Sequence, residues 1–166
     1  MSRLLSDLES ILQGLAAEHR KLAAHLEAHH AAMKAFDLKA MEDLAHLQEA
    51  TRQRMATWDT RRKAAVVHLA RSIRPTPNPD DLTLRRLAEL FPHRRDALLK
   101  LRQELKVAAD AVATRSRVAG RVAAAVLGHL NTAVRLLAGA VEKAGVYTKH
   151  GTPHVSRRIG VMEAVG

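Results

Sequence analysis

The sequence predicts an all-α protein: an elongated antiparallel three-helix coiled-coil bundle with a short extra helix and a flexible C-terminal tail. Apolar residues recur at alternating steps of three and four along three long segments, which is the spacing of a helical seam. The chain of 166 residues contains only 2 Phe, 1 Trp and 1 Tyr, so its core must consist of Leu, Val and Ala. Such a core favours narrow helix-on-helix seams over a broad globular interior.

The first two long segments are predicted to form a helical hairpin. The first helix covers about residues 2–36 and the second about residues 38–73. Asp37 can cap the free N–H groups of the second helix, and Phe36 and Met41 have the spacing of a hydrophobic staple. Because the join between them is so short, the two helices are expected to lie antiparallel.

A proline-rich segment, residues 75–79, separates the hairpin from the rest of the chain. It ends the second helix, because proline lacks an N–H group and restricts the residue before it. Asp80 and Asp81 can cap a short helix at about residues 82–90. The leucines of this short helix are expected to cover one end of the bundle.

The last long segment predicts a helix over about residues 92–144. Gly145 can end it, because a residue without Cβ adopts the left-handed conformation easily. The bundle domain then covers residues 1–144, and residues 145–166 form a flexible basic tail. The apolar stripe of this helix is expected to face the bundle along its whole length, from Leu98 and Leu101 through Val126 to Leu130, Leu137 and Val141.

Several classes of protein are excluded by composition. The absence of cysteine excludes disulfides and zinc sites built on thiolates. The N-terminus leads straight into a charged amphipathic pattern, which is not that of a signal peptide. No uninterrupted apolar run approaches the roughly 20 residues of a membrane span. The protein is therefore expected in the cytoplasm, without membrane insertion.

The chain is strongly basic, with a formal net charge of +10. Two readings follow, non-specific attraction to nucleic acid or binding of an acidic protein. The sequence lacks a helix-turn-helix spacing, a zinc finger and aromatic residues for base stacking, so nucleic acid is not the favoured partner. Basic residues from two helices are expected to gather at one end of the bundle, namely Arg61, Arg62, Lys63, Arg71 and Arg74 with Arg94, Arg95, Lys100 and Arg102.

Ten histidines raise the question of a metal site. Glu27 and His30 form one Glu-x-x-His pair, and Asp43 and His46 form an Asp-x-x-His pair on the next helix. A di-iron site needs further carboxylates from other helices, and the last helix does not supply them at the right spacing. We expect no metal, no other cofactor and no enzymatic activity, since no nucleophile stands beside a base and no Gly-rich loop follows a strand.

The end of the last helix carries a short motif. An Asn stands one turn before a Leu-rich helical end, and a Tyr-x-x-x-Gly follows in the tail; the residues are Asn131, Leu136, Leu137, Tyr147 and Gly151. The order of elements is two long helices, a proline-rich break, a third long helix and a basic tail. In this order and in the motif, the chain resembles the flagellar export chaperone FlgN family over nearly its whole length.

The resemblance implies a flagellar type III export chaperone. Such a protein binds hook-filament junction (hook-associated) proteins in the cytosol and delivers them to the flagellar export apparatus. It assigns partner binding to the last helix and the tail, here Asn131, Val134, Leu137, Val141, Tyr147 and Gly151. The alternatives are a coiled-coil adaptor or scaffold without a secretion role, and a basic protein that binds nucleic acid non-specifically. Pairing with a second chain as a homodimer is compatible with the bundle.

Overall fold

The computed structural model of the protein describes residues 2–73 and 75–145, with side chains described up to residue 140. This part of the chain is almost entirely helical and contains no strand, so the all-α prediction is confirmed. Two single 3₁₀ turns precede the third and fourth helices, at Pro79–Asp81 and Pro92–Arg94. The four α-helices are α1 (Ser2–Ala35), α2 (Leu38–Arg71), α3 (Leu84–Leu90) and α4 (Arg95–Gly145).

The turn between α1 and α2 is as short as expected, but its hydrophobic staple does not form. Asp37 caps α2, and its carboxylate accepts a hydrogen bond of 3.0 Å from the N–H of Ala40. Phe36 has φ of 54°, which lies in the left-handed region that a bulky residue rarely adopts. Its side chain is 76% exposed, so the predicted contact with Met41 is wrong. The left-handed turn directs Phe36 away from the hairpin seam.

The helices α1 and α2 pack against each other along the hairpin. Gly14 of α1 leaves room for the indole of Trp58, which is half-buried. The contribution of α2 to the interior is unusually polar, since Gln48 and Thr51 are both buried. The buried residues of α1 are Leu5, Leu8, Leu12, Ala16, Glu18, Leu22, Ala23, Leu26, Ala32 and Met33.

An ion cluster around the buried carboxylate of Glu18 lies in the middle of this hairpin. Glu18 is only 6% exposed, and its carboxylate accepts hydrogen bonds from Lys21 at 2.7 Å and from Arg54 of α2 at 2.9 Å. Arg54 also donates to the hydroxyl of Thr51 at 2.9 Å. Burial favours the neutral acid, but the hydrogen bonds from Lys21 and Arg54 outweigh it, and the pKa of Glu18 is lowered. The cluster links α1 to α2 in one register.

The segment after α2 closes one end of the hairpin. Thr83 caps α3 by accepting a hydrogen bond of 3.1 Å from the N–H of Arg86, so the predicted capping by Asp80 and Asp81 is wrong. These aspartates belong instead to the turn Pro79–Asp81, whose cap is Asn78. The buried cluster at this end joins Leu5, Leu8, Leu12, Leu69, Ala70, Leu82, Leu87, Ala88, Leu98 and Leu101. The buried residues at the start of α4 thus belong to the same cluster as residues of α1, α2 and α3.

The chain divides into two compact units, Met1–Val122 and Ala123–Gly166, and the boundary between them lies inside α4. The division into a bundle domain of residues 1–144 and a tail of residues 145–166 stays a prediction. Within the first unit, ion pairs join Glu9 to Arg94 at 3.2 Å and Glu27 to Arg115 at 3.1 Å. From the first ion pair to the second, the residue number rises on both helices, so this part of α4 runs parallel to α1. Whether these helices form an elongated antiparallel three-helix coiled coil stays a prediction.

Candidate partner-binding site

The residues predicted to bind a partner fall on the C-terminal part of α4 and beyond it. Asn131, Val134 and Leu137 lie on α4 and are exposed, with Val134 at 62% and Leu137 at 66%. Val141 lies on the same helix, in its last turns, where only the backbone is described. Tyr147 and Gly151 fall outside the described residues. The structure thus brings three of the six residues onto one exposed helical segment.

This segment presents a continuous apolar face, which we call the α4 face, formed by Leu127, Leu130, Val134 and Leu137. The steps between them are three, four and three residues, which places all four on one side of the helix. Their exposed fractions run from 57% at Leu130 to 66% at Leu127 and Leu137. Because Leu130 is exposed, the prediction that it faces the bundle is wrong. The exposure of Leu137 is compatible with the partner binding predicted for it, which stays a prediction.

The α4 face differs from ordinary surface leucines because its members are contiguous. Single exposed apolar residues are normal on soluble proteins, whereas adjoining ones mark an interaction surface. Sequence analysis did not include Leu127 and Leu130 among the site residues, and it named Leu136 only as part of the family motif. Leu136 is 70% exposed and lies about 120° around the helix from Leu130. The signal for the first two was present, since they continue the three- and four-residue steps of Val134 and Leu137.

The glycines of this helix do not mark a close helix contact. A Cβ built at Gly120, Gly128 or Gly139 meets no atom of a neighbouring segment within 4 Å. Within the described residues, no other helix approaches these glycines closely. Each glycine costs an exposed helix roughly 1 kcal/mol relative to alanine. The segment is consequently a helix of low intrinsic stability, which packing against a partner would reinforce.

The charges around the α4 face have one sign. Between Asp110 and Glu142 the sequence contains no acidic residue, while it contains four arginines. At about 100° per residue, Arg121 and Arg135 lie about 180° and 140° from Leu130, on the back of the helix. The positive potential of this segment favours a partner with acidic groups.

The same segment also meets the simplest criteria for a membrane span. Within Pro92–Ala140, an 18-residue window has a mean hydropathy of 1.3, and none of it is buried. Length and composition alone produce this result, and core helices of soluble proteins meet the same criteria. Arg121 and Arg135 limit the uncharged stretch to fewer residues than the roughly 20 that a bilayer requires. The finding therefore describes an exposed apolar helix.

The basic residues expected at one end of the bundle are partly neutralised. Asp59 binds Arg62 at 2.8 Å and Lys63 at 2.9 Å, and hydrogen bonds from Lys63 and then Arg62 lower its pKa. Arg94 is paired with Glu9. The guanidinium carbon of Arg61 lies 5.2 Å from the ring centroid of Trp58, a cation–π distance. The ion pairs with Asp59 and Glu9 reduce the charge that is free to attract phosphate.

Groups of three or more histidine, aspartate or glutamate side chains that could hold a metal ion are not found among the described residues. The pairs Glu27–His30 and Asp43–His46 thus have no third ligand there. Glu27 is instead bound to Arg115.

Comparison with known proteins gives one match. The family described as FlgN protein matches residues 1–154 of the chain. The chain belongs to the FlgN family. The resemblance read from Asn131, Tyr147 and Gly151 is thereby confirmed. No curated protein and no solved structure matches the chain.

Membership of the FlgN family gives the site a general role. FlgN proteins are flagellar export chaperones, so the apolar helix belongs to a protein whose task is to bind other proteins. The match includes the whole of α4 and extends past it to residue 154, and so covers every residue predicted to bind a partner.

Proposed function

We propose that this FlgN-family protein binds hook-filament junction (hook-associated) proteins in the cytosol through the α4 face and delivers them to the flagellar export apparatus. One observation carries the proposal: Leu127, Leu130, Val134 and Leu137 form an exposed apolar face, which no described residue covers, on the part of α4 that lies outside the first compact unit. An amphipathic helix of a client can bury its own apolar face against such a surface. While bound, the client helix is kept from associating with other subunits.

The first unit acts in this proposal as the rigid base of the chaperone. Its α1, α2 and the first half of α4 form an antiparallel three-helix coiled coil, supported by the parallel ion pairs Glu9–Arg94 and Glu27–Arg115. The Glu18 cluster and the leucine cluster at the α3 end hold this unit together. Binding of a client then does not require the base to unfold.

Residues after α4 belong to the recognition part of the proposal. Tyr147 follows the last turn of α4 at the short spacing found in the family motif, and Gly151 completes that motif. An aromatic ring offers a large contact area with few rotatable bonds, and such residues often dominate binding energy. We assign Tyr147 to contact with the client or with the export apparatus.

The proposal is tested by charging the α4 face. Hook-associated proteins of the source organism are co-expressed with the wild-type chain, with Leu130→Asp and with Thr132→Asp, and complexes are isolated by size exclusion. Thr132 is the matched control, because it is exposed and lies about 160° around the helix from Leu130. We expect Leu130→Asp to abolish the complex and Thr132→Asp to retain it.

Both variants should melt at the wild-type temperature, because neither residue belongs to the buried clusters. If the wild-type chain forms no complex with any hook-associated protein, it is not a chaperone of these proteins. That result would favour the alternative of a coiled-coil adaptor or scaffold. If the complex forms but survives Leu130→Asp, the α4 face is not the binding site.

A further inference from the structure

The first unit contains a groove between α3 and the first turns of α4, which we call the α3–α4 groove. Six residues line it, three from each helix: Arg85, Ala88, Glu89, Arg95, Leu99 and Arg102. They are three and one residues apart on α3, and four and three apart on α4, so one face of each helix lines the groove. Its volume is about 320 Å³. The groove shares no residue with the α4 face.

The floor of the α3–α4 groove is apolar and is held by the core. Ala88 is 2% exposed and belongs to the buried cluster that also contains Leu98 and Leu101. Leu99 is half-buried and packs against that cluster. Because both walls are helices with buried contacts, the groove is preformed, and a ligand does not have to order it on binding.

The rim of the groove is basic. Residues 84–102 contain six arginine and lysine residues but only two acidic ones. Nε of Arg85 lies 3.6 Å from Oε1 of Glu89, which is too long for a good hydrogen bond, and the Arg85 side chain is 80% exposed. Arg95 and Arg102 are exposed and form no ion pair among the residues that the structure describes. This part of the chain therefore leaves guanidinium groups in the groove without a balancing charge.

The lining favours the carboxylates of a peptide over the phosphates of a nucleic acid. A guanidinium group can donate two parallel hydrogen bonds to either anion. Glu89, however, lies among the arginines and would repel a row of phosphates. The six lining residues include no aromatic ring on which a base could stack. Ala88 and Leu99 instead offer contact to an apolar side chain, as the floors of ligand-binding clefts usually do.

The size of the groove limits its ligand to a short segment. The helix α3 has 7 residues. At about 1.5 Å per residue it is about 10 Å long, which is the length of about three residues of an extended peptide.

We propose that the α3–α4 groove binds a short acidic segment of another protein. Its aspartate or glutamate carboxylates bind Arg95 and Arg102, and an apolar side chain between them lies on Ala88 and Leu99. The inference goes beyond the proposed function, because it concerns a different surface and a partner of different chemistry. The chain then has two modes of recognition, apolar contact at the α4 face and charge at the α3–α4 groove.

Two pairs of arginine substitutions with the same change in net charge test the site. Arg95→Gln with Arg102→Gln removes two charges from the groove, whereas Arg117→Gln with Arg121→Gln removes two charges from exposed positions of α4 outside it. The probe is a fluorescein-labelled, amidated peptide, Glu-Glu-Leu-Glu-Glu, and its binding to the full chain is measured by fluorescence anisotropy at physiological salt. The peptide Gln-Gln-Leu-Gln-Gln and a short oligothymidylate, each with the same label, are measured in parallel.

We expect the acidic peptide to bind at least about tenfold more tightly than the neutral one, because only carboxylates form charge-assisted hydrogen bonds with the arginines. The groove pair of substitutions should weaken the acidic peptide by about tenfold or more for the same reason. The control pair should weaken it by less than about threefold, because distant exposed charges are screened at physiological salt. Both variants should melt near the wild-type temperature, since all four arginines are exposed.

Three results would overturn the inference. Equal losses in the two variants would mean that the peptide responds to the net charge of the chain and not to the groove. Tighter binding of oligothymidylate than of the acidic peptide, lost in the groove variant, would mean that the groove binds nucleic acid. An unchanged anisotropy of the acidic peptide at the highest soluble concentration of the chain would mean that these arginines are only solvated. The α4 face is tested by Leu130→Asp, so a failure of this inference is distinguishable from a failure of the proposed function.

Discussion

Replacing Gly14 with alanine should disturb the contact between α1 and the single tryptophan of the chain. A Cβ at residue 14 would lie 2.7 Å from Cζ2 of Trp58 and 2.9 Å from its Cε2 and Cη2, well inside van der Waals distance. Alanine adds about 1 kcal/mol of helix propensity relative to glycine. Overpacking a well-filled contact costs about 1–3 kcal/mol. Since the indole must move, we expect Gly14→Ala to destabilise the protein by about 1 kcal/mol net.

A double-mutant cycle with Trp58→Ala separates these two effects. Without the indole only the propensity gain remains, so Gly14→Ala should stabilise the Trp58→Ala protein by about 1 kcal/mol. The coupling energy between the two residues is then about 2 kcal/mol. Urea unfolding is followed by far-ultraviolet circular dichroism, because Trp58→Ala removes the only tryptophan. If Gly14→Ala stabilises both backgrounds equally, the close contact of Gly14 with Trp58 does not exist.

Three further predictions concern the effect of acid on Glu18, the residues that follow α4, and the binding of DNA. Because the pKa of Glu18 is lowered from its unfolded value near 4.5, its carboxylate stabilises the fold above that pH, and this stability is lost as the pH falls through the folded pKa. Glu18→Gln should therefore make the free energy of unfolding fall less steeply with acid. An unchanged acid dependence in urea titrations would contradict this. Deleting residues 146–166 should barely shift the melting temperature, since the leucine cluster ends at Leu101. Tyr147→Ala should weaken the pull-down of the client. A large loss of stability with unchanged client binding would mean that Tyr147 stabilises the fold and does not bind the client. Duplex DNA should bind weakly, and its affinity should fall steeply between low and physiological salt. The binding should depend on Arg61, Arg62, Arg94 and Arg95 together. Salt-resistant, sequence-selective binding would favour the nucleic-acid hypothesis.

The parts of the fold that follow from local signals were predictable from the sequence. The helix bounds differ from the predicted ones by no more than three residues, because Asp37, the prolines and the seam periodicity act within one or two turns. Phe36 was placed wrongly because the left-handed turn that exposes it depends on how α1 and α2 meet. The burial of Glu18 depends likewise on Arg54, 36 residues away, and no local pattern indicates such a pairing.

The candidate site was only half predictable, for a related reason. A three- and four-residue apolar stripe has the same sequence whether it faces a neighbouring helix of its own chain or a partner protein. Asn131, Val134 and Leu137 were assigned to binding through the family motif, whereas Leu130 was assigned to the interior through its periodicity. Only contacts between segments far apart in sequence separate these outcomes; within the first unit, the ion pairs that align α4 with α1 join residues 85 and 88 apart in sequence.

The lengths of the helices bear on the same point. Each helix of the hairpin has 34 residues, whereas α4 has 51. Since all α-helices rise about 1.5 Å per residue, α4 is longer than either of them by roughly 17 residues. The apolar stripe of α4 nevertheless continues to Leu137, and its leucine and valine side chains from Leu127 onward are exposed. An exposed stripe of this kind is suited to contact with another protein, which is the role proposed for the α4 face.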